Sequence, residues 1–439
     1  MPINFGSTNI GAIYKGTTKI TKVYKGSDIV FQSGLPNDYI QLEYIESTGT
    51  QYIDSGVNVS SNIKAYLENT YDGFSNTGTY TRNGGRTATT QNEMLFISLN
   101  ASVFRVDMGT TDLDHDNQKT FTYQKSAKSV ELDAPNRKSK IIYIDDSTEE
   151  ATYTFDNFST SIPFVLFAYN TGGTITVSVS QKLTNAKFWN NGTLIRDFIP
   201  AYRRTDGVVG LYDMVNGVFY TNAGTGEFKR GAMILKNYYE LEYIESDGNQ
   251  WIDTGVVPTN TTGFMLDYQL TQTPSDNFTY GVRSSQNGRF IAGGKSDGLY
   301  LGYGADVYSA LAGPSVMLNR QQAYLNYKNN GKAKIVNEVS IAVSLPTFTS
   351  EYTIYVFARK SYSGTSVVGF PQKVYRNTIT EGSNIIRDFI PIMRATDNAV
   401  GLYDAKNNIF YANAGTGTFT KGENVWLKSM TKTYLLFKK

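Results

Sequence analysis

Residues 196–228 read RDFIPAYRRTDGVVGLYDMVNGVFYTNAGTGEF, and residues 387–419 read RDFIPIMRATDNAVGLYDAKNNIFYANAGTGTF. Twenty-two of these 33 positions are identical, too many for chance, so the chain carries an internal duplication. Working outward, residues 42–54 (LEYIESTGTQYID) match residues 241–253 (LEYIESDGNQWID). Between these ends, residues 164–168 (FVLFA) resemble residues 354–358 (IYVFA). The leading match is offset by 199 residues and the trailing one by 191, so copy two is eight residues shorter in its middle (199 − 191). Each copy is one unit of about 190 residues, an ordinary size for a single all-β domain.

The pattern inside the copies is that of strands. Residues 174–180 (TITVSVS) alternate strictly, which predicts Ile175, Val177 and Val179 on one buried face. Residues 410–419 predict a strand, a glycine turn and a second strand. The 32 Tyr and 24 Phe suit pleated, half-buried surfaces, and 40 Gly suit many tight turns. Helical periodicity is scarce, so the expected class is all-β, a sandwich in each of the two tandem copies. Copy one is placed at residues 39–231 and copy two at 238–425, with a tail at 426–439. Ahead of them, IYKGTTKI (13–20) is echoed by VYKGSDIV (23–30), each a strand, a Lys-Gly turn and a strand. Residues 1–34 are therefore expected to form a small three-stranded β-meander. Such a sheet has almost no core of its own and needs a neighbour to pack against.

Composition and motifs exclude several functions. A net charge of +2 gives no footprint for nucleic acid. With no Cys there are no disulfides and no thiolate chemistry. No window approaches the ~20 apolar residues of a membrane span, so no membrane insertion is expected. The start, MPINFG, lacks the basic and apolar regions of a signal peptide, giving the expectation of a soluble chain without an export signal. The single histidine, His115, removes Ser-His-Asp and Cys-His arrangements. Glu43 and Glu46 match Glu242 and Glu245. A spacing of three sets each pair on opposite strand faces, which suits a solvated edge and a turn cap rather than an acid/base pair. No catalytic residue and no cofactor are expected. In DLDHDN (112–117) Asp112, Asp114 and Asp116 alternate as calcium ligands do, but Asn117 and Tyr123 stand where an EF-hand needs Gly and Glu. A solvated acidic turn is the expectation there, a bound ion the alternative. The NAGTG segments lack the Lys-Ser/Thr ending of a phosphate loop. Asp213 and Asp404, each after Gly-Leu-Tyr, are expected to close turns by accepting from backbone amides.

The LEYIES…Q-[YW]-ID and RDFIP…GLYD…NAGTG-x-F segments resemble the laminin-G/concanavalin A-like jelly-roll domains of structural proteins in tailed bacteriophages and their relatives in gut bacteria. The resemblance covers about residues 39–231 and 238–422. The YKGTTKI…VYKGSDIVF segment is similar to short modules that begin phage tail, fibre and baseplate-associated proteins. What this implies is a non-enzymatic virion protein, assembled in the host cytoplasm: a fibre, receptor-binding or capsid-decoration component. Residues 1–34 would join other virion proteins, and a homo-oligomer would project the sandwiches towards surface glycans. The alternative is a purely structural spacer or assembly component with no ligand. The fold is shared by lectins, glycosidases and lyases, so it does not by itself set an activity.

Sugar sites combine an aromatic platform with a few polar groups. The drifted middles are where such sites could differ, since loops carry specificity on a fixed scaffold. The candidates are Tyr80, Arg82 and Arg86 in copy one, and Tyr280, Arg283, Arg289, Tyr300 and Tyr303 in copy two. Against them stands the ordinary role of tyrosine in a sandwich, half-buried with a wet hydroxyl. Trp251, at the place of Tyr52, reads as core variation. The copies are expected to bind differently if they bind at all.

Overall fold

Ile63–Thr70 shows why the chain folds as layers. Ile63, Ala65 and Leu67 alternate onto a buried face, and Lys64 and Glu68 onto the other. Outside, Lys64 meets Glu131 of the next strand at 2.8 Å, a cross-strand pair of opposite charge. The computed structural model describes residues 34–70, 81–88, 93–99, 104–110, 117–122, 127–177, 180–274, 276–308, 313–335, 340–362 and 367–425, together with the strands between residues 4 and 32. The chain divides into two compact units, Met1–Arg203 with Val208–Ile234, and Arg204–Gly207 with Leu235–Lys439. Each holds one copy. Among the described residues no helix is long and apolar enough to cross a membrane.

In copy one the larger sheet runs Thr148–Thr152, Lys138–Tyr143, Ala127–Asp133, Ile63–Thr70, Gln181–Asn190, Thr193–Arg203, Val209–Asp213, Val218–Tyr220, all antiparallel. The smaller sheet runs Gln118–Phe121, Phe104–Thr110, Glu93–Leu99, Thr81–Arg86, Ala168–Thr171, Thr174–Val177. Copy two repeats the larger sheet strand for strand, from Ser340–Ala342 through Thr262–Leu270, Gln372–Glu381 and Asn384–Arg394 to Val400–Asp404 and Ile409–Tyr411. Its smaller sheet carries Asp276–Arg283, Arg289–Lys295 and Gly298–Gly304. In both copies the smaller sheet contains one parallel pairing, Gly84 beside Tyr169 and Gly281 beside Arg359. Two face-packed, mainly antiparallel sheets make each copy a jelly-roll sandwich. In copy two, Phe264 of the larger sheet bridges the layers, its ring 4.6 Å from Tyr280 and 5.5 Å from Phe290.

Three expectations change in detail. Among the described residues the N-terminal segment shows three strand pairs rather than a three-stranded meander. Asn4–Phe5 pairs Thr8–Asn9, Ile13–Lys15 pairs Thr18–Ile20, and Lys22–Lys25 pairs Asp28–Gln32, as separate antiparallel hairpins. Residues 410–419 are not a hairpin either. Ile409–Tyr411 pairs with Val400–Asp404, whereas Thr420–Lys421 pairs with Ile244–Ser246, so the glycines belong to a loop crossing between partners. In residues 174–180 the strand spans Thr174–Val177 with Ile175 only half-buried, and Val179 lies outside the described residues. Residues 426–439 lie outside them too.

The repeated motifs meet in space. The Asn413 side-chain oxygen accepts from the Trp251 (3.1 Å) and Gly415 (2.8 Å) amides, and its nitrogen donates to the Gly417 carbonyl (2.9 Å). Asn222 does the same for Tyr52, Gly224 and Gly226. A Cβ on Gly415 would stand 2.1 Å from the Asn249 carbonyl oxygen, and one on Gly224 would stand 2.2 Å from that of Thr50. The glycine loop thus lies flush against the Gln-[Tyr/Trp]-Ile-Asp segment, which requires glycine there. Trp251 is half-buried against the core and lies over Gly415, a packing position rather than an open platform. Asn413→Ala strands two amide donors at once. It is expected to cost copy two about 1–3 kcal/mol in denaturant unfolding, with Asn413→Asp, which keeps the acceptor, the milder change.

Asp213 and Asp404 close turns as expected and do more. Asp213 is fully buried and accepts from the Asp197 (3.1 Å) and Val215 (2.9 Å) amides and the Asn216 side chain (2.6 Å). Arg196 lies 3.6 Å away and donates to the Ser55 carbonyl. Asp404, Asn407 and Arg387 repeat this arrangement. In both copies the shared Asn and Asp side chains are engaged in holding these turns and loops.

Candidate ligand-binding face

Phe104–Thr110 (FRVDMGT) sends Phe104, Val106 and Met108 into the core, which leaves Arg105 and Asp107 on the opposite, outer face of the smaller sheet. Ladder register adds their neighbours. Asp107 stands beside Phe96, Phe96 beside Gly84, and Gly84 beside Tyr169. Arg105 stands beside Ser98, and Ser98 beside Arg82. Copy one's outer face therefore gathers Arg82, Arg86, Phe96, Arg105, Asp107 and Tyr169. The Arg82 and Arg86 guanidiniums lie 4.6 and 5.5 Å from the Tyr169 ring centre, and Arg86 lies 5.9 Å from that of Phe96. The Arg86 Nε donates to the Thr171 hydroxyl at 3.0 Å.

Asp107 is the unusual member. It is 1% exposed, its Oδ2 lies 3.0 Å from the Arg105 Nε, and its Oδ1 has no hydrogen-bond partner. Burial pushes its carboxyl up to about 7, against the pull of Arg105 and Arg86. A folded-state value above the unfolded 3.8 means that the native chain holds the extra proton between these limits. Stability therefore falls as pH rises from about 4 to about 7. Asp107→Asn is expected to flatten that fall, read as melting temperature against pH.

In copy two the same register places Gly281, Arg283, Arg289, Ile291, Tyr300 and Gly302 on the outer face. Arg283 lies 5.4 Å from the ring centre of the exposed Tyr362. The Arg289 guanidinium donates to the Ala305 carbonyl at 2.8 Å, and the Tyr300 hydroxyl to Asp297 at 2.7 Å. Burial and the neighbouring Arg283 lower the pKa of Arg289.

Five of the eight sequence candidates therefore fall on the outer faces: Arg82 and Arg86 in one copy, Arg283, Arg289 and Tyr300 in the other. Tyr80 lies outside the described residues. Tyr280 and Tyr303 must be corrected, because both are 0% exposed and belong to the core. Tyr280 accepts from the Asn377 side chain at 3.3 Å, and Tyr303 donates to the Thr262 carbonyl at 3.3 Å. Burial pushes both hydroxyls above the ordinary phenol range. The signal was present: Tyr280 and Arg283 stand an odd number of residues apart, as do Tyr300 and Tyr303, so one member of each pair had to face inward. Phe96, Arg105, Asp107 and Tyr169 were missed, although the alternation of FRVDMG marks two of them.

The Glu pairs do not share a strand. Glu46 and Glu245 lie in Ile45–Ser47 and Ile244–Ser246, which Glu43 and Glu242 precede. Glu46 accepts from the Ser180 hydroxyl at 3.1 Å. Among the described residues no three His, Asp or Glu side chains converge as a metal site. Asp112, Asp114, His115 and Asp116 lie outside them.

No protein-family model matches the chain, and no curated protein matches it. Among solved structures it is similar to the LG4-5 domains of the mouse laminin alpha1 chain, at 13% identity over 89% of this chain and 95% of that one, with a TM-score of 0.26. It is also similar to the LG1-3 region of the laminin alpha2 chain, at 10% identity over 80% and 63%, TM-score 0.26. The NanB sialidase of Streptococcus pneumoniae matches at 9% identity over 88% and 76%, TM-score 0.24. Likeness at this level assigns no site and no activity. The sandwich stands on the strand order described above.

Proposed function

We propose that this chain is a non-enzymatic structural protein of a tailed-bacteriophage particle, a fibre, receptor-binding or decoration component. Its two sandwiches take saccharides on the outer faces of their smaller sheets. One observation carries the binding reading. The shared Asn222/Asn413, Asp213/Asp404 and Arg196/Arg387 side chains bond the fold, whereas Arg and aromatic side chains of the drifted segments collect on one outer face per copy. Rings beside hydrogen-bond donors suit the apolar faces and hydroxyls of sugars. Shallow sites of this kind are weak singly and gain from repetition along the chain and by oligomerisation. The virion reading rests on the resemblance of the repeat motifs and of the N-terminal hairpin segment to phage modules. That segment supplies the attachment to other virion proteins.

The full chain on a glycan array is expected to retain a defined set of glycans, and antibody to it to label purified virions. Labelled particles with a blank array would favour the spacer. The near-complete cover of Phe96 and Asp107, 3% and 1% exposed, speaks for that second reading. Unlabelled particles would sink the virion assignment. Release of reducing ends from host polysaccharide would overturn the non-enzymatic reading.

A further inference from the structure

We infer that Asn191 is a self-modifying site: its side chain closes onto the Gly192 amide, loses ammonia and leaves an aspartyl or isoaspartyl carboxylate in copy one. The inference is independent of what either copy binds.

The chain has five Asn-Gly pairs, beginning at Asn83, Asn191, Asn216, Asn287 and Asn330. Glycine after asparagine leaves the attacking nitrogen uncrowded, since it carries no Cβ. The fold then sorts the five. Asn83 is 1% exposed, and its side chain donates to Gln181 and accepts from the Phe167 amide. The Asn216 side chain donates to Asp213 at 2.6 Å, and the Gly217 amide to the Asp213 carbonyl at 2.8 Å. The Asn330 side chain accepts from the Lys332 amide, and the Gly331 amide donates to the Asn326 side chain. Asn287 is exposed, but Gly288 is buried, and a Cβ on it would stand 2.4 Å from the Ser284 hydroxyl oxygen.

Asn191 and Gly192 are both exposed. They form the two-residue link between Gln181–Asn190 and Thr193–Arg203. Asn191 gives its own amide to the Asn62 carbonyl at 3.0 Å. Its side chain, its carbonyl and the Gly192 amide make no hydrogen bond among the described residues. Nothing lies within 4 Å of a Cβ built on Gly192. Ring closure therefore turns a peptide group that no hydrogen bond holds.

The Gly192 nitrogen, giving its proton to water, attacks the carbonyl carbon of the Asn191 side chain. The carbon–nitrogen bond of the side-chain amide breaks, and its nitrogen leaves as ammonia. The cyclic imide takes up a water molecule and opens at either carbonyl, to aspartate or to isoaspartate. Each product carries a carboxylate where the amide was neutral. Copy two has Gly382 and Ser383 between the same two strands, so it has no amide to react there.

The test holds the full native chain at mildly alkaline pH beside a urea-unfolded sample, until every pair in the unfolded sample has converted. Peptide-map mass spectrometry follows each pair in both. In the native chain Asn191 is expected to exchange amide nitrogen for oxygen about fivefold or more ahead of the other four, which must first open locally. A more acidic form should appear on ion exchange, with isoaspartate at position 191. Giving copy one the link of copy two, Asn191→Gly with Gly192→Ser, should abolish that form. Should this variant fail to fold, the ranking in the wild-type chain still decides. Another pair converting first in the native chain, or all five at one pace, overturns the inference. So does an Asn191 that stays intact throughout, or an acidic form undiminished in the folded variant.

Discussion

Gly281→Ala will cost copy two about 3–5 kcal/mol, or leave it unfolded, because strain and overpacking act at one atom. Gly281 sits at φ +104°, and a Cβ there would stand 1.9 Å from the Phe290 carbonyl oxygen and 2.9 Å from the Ile291 Cα. Both obstacles are backbone of the adjacent strand, so no side chain can swing aside. Gly84 in copy one has the same problem, at φ +132° and 2.2 Å from the Leu95 carbonyl oxygen. These glycines let the strand lie between an antiparallel and a parallel neighbour. Gly382→Ala is the control: its φ is +58°, but nothing lies within 4 Å of the added atom. About 1 kcal/mol is expected there. The check is the denaturant midpoint of each variant. Equal shifts for Gly281→Ala and Gly382→Ala would show that close approach of the strands is not what demands glycine.

The second large effect belongs to Asp404. Its carboxylate is fully buried, with the Asp388 and Lys406 amides and the Asn407 side chain donating to it and Arg387 at 3.5 Å. Asp404→Ala leaves those donors without an acceptor and Arg387 without its counter-charge. Breaking a buried pair from one side costs about 3–5 kcal/mol. Burial already raises the pKa of this carboxyl, so Asp404→Asn, which keeps one accepting oxygen, should be the milder change. Hydrogen exchange localises the result. The strands Asn384–Arg394 and Val400–Asp404 should lose protection in Asp404→Ala, and unchanged protection there would refute the structural role assigned to this group.

Much of the architecture was legible before any coordinates. The duplication and the all-β class followed from repeated strings and strand-like alternation. Asp213 and Asp404 were rightly expected to close turns, since that role depends on residues only two or three apart. The hairpin expected across residues 410–419 failed for the converse reason. The glycines there bend the chain, but which strand receives it depends on Ile244–Ser246, far back in the sequence. The candidate site was half legible. Arg82, Arg86, Arg283, Arg289 and Tyr300 lie on the outer faces, yet Tyr280 and Tyr303 were grouped with them by composition when strand parity turns both into the core.

Sequence alone settled what depends on neighbours along the chain: the all-β class, which residues of a strand share one face, and that one unit occurs twice. These are properties of the two-residue pleat and of side-chain types, and they survive any arrangement of the sheets. The tertiary structure alone decided which faces meet. It set Gly84 beside Tyr169 in a parallel ladder, Asp107 beside Phe96, and Asn413 against Trp251. The physical reason is register, which is fixed by packing and turn geometry rather than by local propensity, and a slip of one residue would exchange core for surface along a whole strand.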